Sequence, residues 1–140
     1  MKNYKKAAKI YKRGVELGCV DAMCSLAVMY MHGEGVKRNK NKAIQLMRMA
    51  ADQGLARAQK MVAGALDEAG DEKEAVRYMT LAGEQGLTEA ETTLGHLYAE
   101  GLYGVEVDFQ EAKRWFARAA AKGDEEAKRN LARNAHIFGA

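Results

Sequence analysis

Four glycines, Gly18, Gly54, Gly86 and Gly123, fall 36, 32 and 37 residues apart, and the residues around them recur in register. Eleven residues before each stand Ala7, Ala43, Ala75 and Ala112, and four residues after each stand Ala22, Ala58, Ala90 and Ala127. Neither column has an exception. Fifteen residues before each come Asn3, Asn39, Asp71 and Asp108, whose side-chain oxygens suit a helix N-cap. Asp71 with Glu74 and Asp108 with Glu111 have the spacing of capping boxes. The chain has no proline, so punctuation falls to Asx at the start of a helix and to a left-handed glycine at its end. A start and stop recurring at this interval restricts the chain to a series of like helical modules.

A second helix follows each closing glycine. Eight residues on lie Leu26, Val62, Leu94 and Leu131, then the small residues Ala27, Ala63, Gly95 and Ala132. Tyr30, Leu66, Tyr98 and Ala135 follow four residues after the leucine column, on the same helical face. The pattern predicts helices over 3–17, 20–32, 40–53, 56–69, 71–85, 88–100, 108–122 and 124–137. Each helical hairpin has an apolar stripe that it cannot bury alone, so it must stack on the next. The expectation is one all-α domain, a solenoid of stacked antiparallel helix hairpins with about eight helices. Its parts would be a lysine-rich capping helix at 3–17, repeats at about 20–54, 56–86 and 88–123, and a C-terminal capping helix at 124–137. The same pattern suits a whole small protein and an excerpt of a longer solenoid alike.

At 140 residues and 48% hydrophobic content the chain can bury a core. Cys19 and Cys24 match neither a zinc motif nor a disulfide framework, so both are expected as free, partly buried thiols. The first residues lack the apolar run of a signal peptide, and no segment has the ~20 apolar residues of a membrane span. A cytoplasmic location is the resulting expectation. Charge is uneven: residues 1–48 carry 11 Lys/Arg against three acidic residues, whereas 49–140 carry 11 against 16. The basic end, from Lys2, Lys5, Lys6, Lys9, Lys12 and Arg13 to Lys37, Arg38, Lys40 and Lys42, supplies a rival reading, in which it meets nucleic acid or an anionic membrane surface; Lys2 lies outside the residues that the structure describes.

Catalytic patterns are missing. His32, His96 and His136 belong to three different units, so no two-histidine metal motif forms and no metal or cofactor is expected. GEG at 33–35 and GLYG at 101–104 follow helices rather than strands and lack the lysine of a phosphate loop.

The stretches LAVMYMHGEGVKRNKNKAIQLMRMAADQG (26–54) and LGHLYAEGLYGVEVDFQEAKRWFARAAAKG (94–123) resemble the Sel-one-like repeat, a relative of the tetratricopeptide repeat. The middle unit, 62–86, is four residues shorter than the first and lacks the G-x-G-V loop, and Leu102-Tyr103 widens that loop in the third. The resemblance implies a right-handed α-α superhelix whose concave face is lined by the first helix of each pair. It implies a non-enzymatic scaffold or adaptor for a protein or peptide, without a small-molecule substrate, acting as a monomer or in weak self-association.

By the family's pattern the groove positions are Asp21, Cys24, Val28, Met31 and His32, then Arg57, Lys60, Gly64, Asp67 and Glu68. Glu89, Thr92, His96, Ala99 and Glu100 follow in the third unit, and Glu126, Arg129, Arg133, His136 and Ile137 in the last helix. An apolar patch at Cys24, Val28 and Met31 beside Arg57, Lys60, Asp67 and Glu68 would suit a peptide with an apolar anchor and charged flanks. Tetratricopeptide domains that clamp the terminal carboxylate of heat-shock chaperones need Lys and Asn on the first groove helix. Cys24 and Val28 occupy those places here.

Overall fold

The computed structural model describes residues 3–139 and is helical throughout, with no strand among them. Eight helices alternate in direction: α1 (Tyr4–Glu16), α2 (Val20–His32), α3 (Lys40–Asp52), α4 (Ala56–Glu68), α5 (Glu72–Glu84), α6 (Thr88–Glu100), α7 (Phe109–Ala121) and α8 (Glu125–Arg133). A single turn, α9 (Ala135–Phe138), follows. Each helix packs on its neighbours in chain order, and α6 also meets α8, as stacking of successive hairpins requires.

The closing glycines do what their recurrence predicts. Gly18, Gly54, Gly86 and Gly123 have φ of 80°, 93°, 90° and 94°, the left-handed conformation that ends a helix at little cost. Ala22, Ala58, Ala90 and Ala127 are all buried, and so are Ala43, Ala75 and Ala112, which lets the helices approach closely. Leu26, Val62 and Leu94 are buried beside them, while Leu131, in the last helix of the stack, is only half-buried. Trp115 and Phe116 are 1% and 0% exposed, and Tyr98 packs half-buried against both core clusters. At that burial, replacing Trp115 with alanine should cost ~3–5 kcal/mol.

The helix starts differ in part from expectation. Asn3, Asn39 and Asp108 cap as predicted, accepting from Lys6, Lys42 and both Gln110 and Glu111 backbone N–H groups respectively. Asp71 stands at the N-cap of α5, but its side chain accepts no bond from the first turn, where Glu72 and Glu74 supply negative charge instead. Neither proposed capping box closes. The backbone N–H that the glutamate would reach is already taken, because Asn39, Asp71 and Asp108 donate to the carbonyls of Tyr30, Leu66 and Tyr98 at 2.9, 2.8 and 2.9 Å. Those carbonyls belong to one repeat column, so the short loop of the second unit keeps the closure made by the long ones. Glu74 and Glu111 turn outward to Arg77 and Arg114, at 3.0 and 3.2 Å.

The expected helix over 124–137 breaks at Asn134. Its side-chain amide donates to the Asn130 carbonyl, and its own carbonyl accepts from Ile137 and Phe138. The turn brings Phe138, 4% exposed, against Phe109 and Phe116. Burying that ring offsets the loss of helical continuity.

The widened third loop bridges back over the shortened second one. Tyr103, at φ 56° in a region that disfavours side chains, donates its hydroxyl to Asp67 of α4 at 2.7 Å. A second device joins consecutive units at the position five residues after each closing glycine. Met23 fills it with hydrocarbon, Gln59 accepts from the Gln85 side-chain amide at 2.8 Å, and Glu91 pairs with Arg118 and Lys122 at 3.1 and 2.6 Å. Glu91 is 1% exposed, so its charge is held by two cations from the end of α7.

Candidate functional site

The face carried by α2, α4, α6 and α8 holds the predicted groove positions, and the methionine-rich first two units shape an opening on it. A cleft of about 580 Å³ lies there, floored by Met31, Met47, Met61, Ala65 and Leu87 and rimmed by Arg57, Lys60, Glu68 and Glu89. Gly64 opens its wall in the middle of α4. A Cβ added to Gly64 would meet nothing within 4 Å, so packing does not require glycine there. In a helix interior glycine costs ~0.5–1 kcal/mol relative to alanine. What its absent side chain leaves is room.

The rim is laced by ion pairs between consecutive units. Arg57 lies 3.5 Å from Asp21, and Lys60 pairs with Glu89. Exposed pairs of this kind contribute little to stability. They do leave charges of both signs beside an apolar floor.

The expected groove positions divide among several surroundings. Met31, Arg57, Lys60, Gly64, Glu68 and Glu89 come together at the cleft. Val28 is 38% exposed on α2 outside the cleft lining, and His32, also exposed, lies 3.0 Å from the Val28 carbonyl through Nδ1. Asp67 is committed to Tyr103. His96, Ala99, Glu100, Arg133 and Ile137 line a separate cleft of about 360 Å³ with Phe109 and Phe138, and His96 Nε2 lies 3.0 Å from Glu126. Arg129 and His136 are exposed and line neither cleft.

Cys24 and Thr92 are not open groove residues. They are 5% and 7% exposed, and Thr92 donates to Asp124 at 3.0 Å. Both share a repeat column with Lys60 and Arg129, whose longer side chains extend outward while the short ones stay between helices. Burial pushes the Cys24 thiol pKa up, with Arg57 pulling the other way. Cys19 is exposed, and neither cysteine forms a disulfide.

The residues that sequence reasoning missed are Met47, Met61, Ala65 and Leu87. They lie outside the family's groove positions, and the signal that marks two of them, Met47 and Met61, is the crowding of methionine in the first two units.

The profile described as Sel1 repeat matches residues 1–19, 20–55, 64–87 and 88–124, most of the chain. The chain belongs to the Sel1 repeat family. A Sel1 repeat protein from Oxalobacter formigenes superposes with a TM-score of 0.86 at 30% identity, covering 96% of this chain and 56% of that one. A protective antigen present in uropathogenic Escherichia coli strains, displaying an SLR fold, superposes at 0.82 with 26% identity, covering 99% of this chain and 30% of that one. The chain thus spans about half and about a third of the length of these two proteins. No curated protein matches it. Sel1 repeat proteins generally serve as scaffolds for protein–protein interaction, and among the described residues no helix of this one is long and apolar enough to cross a membrane.

Proposed function

We propose that this Sel1 solenoid is a non-enzymatic adaptor that captures a segment of a partner protein in the methionine-floored cleft enclosed by α2, α3, α4 and the start of α6. The segment inserts an apolar anchor, such as Leu, Met or Phe, and sets charged flanks against Arg57, Lys60, Glu68 and Glu89. Gly64 carries this reading: a mid-helix glycine with no packing neighbour weakens α4 and yields only open cleft. Methionine suits the floor, because its flexible, polarisable side chain adapts to differently shaped anchors. Rim charges of both signs fix the direction of the segment more than its affinity.

Selection from a random peptide library against the pure chain tests this. Enriched peptides should share an apolar residue flanked by charges, and their binding should be lost in Met31→Asp. The double substitution Val28→Ala with Met31→Ala should weaken capture with helicity retained by circular dichroism. Failure to enrich peptides, or enriched peptides that bind Met31→Asp unchanged, would contradict the reading.

A further inference from the structure

A second cleft, of about 410 Å³, sits at the basic end of the solenoid, away from the methionine floor. Lys12 of α1, Lys37 and Arg38 of the α2–α3 loop and Lys42 of α3 converge on it, with Tyr30 and Asn39 in its wall. Three separate chain segments therefore bring four cations to one concavity.

No carboxylate lines it, and none of the four cations is in an ion pair among the described residues. Elsewhere the cations that bridge units are answered: Arg48 by Glu74, Arg57 by Asp21, Lys60 by Glu89, and Arg118 with Lys122 by Glu91. The nearest acid in sequence, Glu34, is outside the cleft lining, lying 4.0 Å from His32 and near enough to Tyr4 to raise its pKa. Lys42 rests instead over the Tyr30 ring, 5.4 Å from its centroid.

The helix below adds to the same field. The first turn of α3 has no acid, unlike those of α5, α6, α7 and α8, and carries Lys40 and Lys42. The positive end of the helix dipole and the lysine charges are thus of one sign. Like charges gathered in a concavity without a counter-charge repel one another, and a bound dianion reverses that penalty.

We infer that this cleft binds a phosphate group carried on a protein segment, through Lys12, Lys37, Arg38 and Lys42. Arginine offers paired donors to phosphate oxygens and lysine offers point charge, the combination that phosphopeptide sites use. A polypeptide fits better than a nucleic acid, because the cleft is a single concavity rather than a track. Its aromatic residue, Tyr30, is half-buried with Lys42 over its ring, which leaves less of its face open to a base.

Fluorescence anisotropy on the whole chain tests it with four probes: a labelled peptide holding one phosphoserine among Gly and Ala, its unphosphorylated twin, inorganic phosphate as competitor, and a short uridine-rich RNA. The phosphopeptide should bind roughly tenfold or more tighter than its twin, and inorganic phosphate should displace it. Arg38→Ala with Lys42→Ala should abolish the difference, while Arg114→Ala, which removes a cation paired with Glu111, should preserve it. As a second readout, phosphate in place of chloride at equal ionic strength should raise the Tm of the wild type more than that of the double variant, because the general stabilising effect of phosphate on buried surface is common to both. Equal binding of the two peptides, tighter binding of the RNA than of the phosphopeptide, or an equal rise in Tm for the wild type and the double variant would overturn the inference.

Discussion

The same substitution at two mid-helix glycines should have opposite effects. At Gly64 an alanine Cβ meets no atom within 4 Å, so the change adds helix propensity without strain. That is worth ~0.5–1 kcal/mol and a rise in Tm of roughly 2–4 °C for a domain of this size. At Gly95 the added Cβ would stand 2.6 Å from ring carbons of Phe116, which is fully buried and held between His96 and Phe138. Overpacking of ~1–3 kcal/mol exceeds the gain in propensity there, so Gly95→Ala should destabilise. Thermal and urea unfolding followed by circular dichroism gives both signs. Gly64→Ala should also narrow the cleft and weaken a selected peptide. Loss of stability in Gly64→Ala would show that the site is not open, and a stabilised variant binding the peptide as before would remove the reason for glycine there.

Glu91→Gln should lower the urea midpoint by the equivalent of ~2 kcal/mol. It removes a buried charge held by two cations that are themselves partly exposed, which limits the penalty of a broken pair; a shift within error would mean that the joint is held by packing alone. Tyr103→Phe should cost ~1 kcal/mol by deleting the bond to Asp67. The Tyr103 pKa is pushed up to about 12 by burial, then by the hydrogen bond and charge of Asp67, from an ordinary 10.0. The neutral phenol therefore favours the folded state, and its contribution is complete below about pH 10 and declines as pH rises toward 12. Parallel alkaline unfolding curves for Tyr103→Phe and the wild type would refute that linkage.

The fold was legible because its determinants are local. Asx, glycine and the alanine columns set helix starts, ends and contacts within a few residues of themselves, and the eight main helices follow from them. Asn134 escaped because the turn there depends on Phe138 finding Phe109 and Phe116, which no local pattern encodes. The site was legible in half. Positions such as Arg57, Lys60, Glu68 and Glu89 follow from the family's groove pattern, but side-chain length decided that Cys24 and Thr92 stay inside while Lys60 reaches out. Met47 and Met61 border both core and cleft, and that distinction exists only once helices are placed in space. Glu91 looked like one acid among many. Its burial depends on Arg118 and Lys122, which are a whole unit away in sequence.

The cleft as a docking site is tested most directly by methyl resonances of the chain's methionines, recorded while a selected peptide is added. Met31, Met47 and Met61 line the cleft, whereas Met23 and Met79 are buried outside its lining and serve as internal controls. The account predicts that the first three methyl signals shift together with saturation while the controls stay in place. Saturable binding that leaves those three signals unmoved would contradict it.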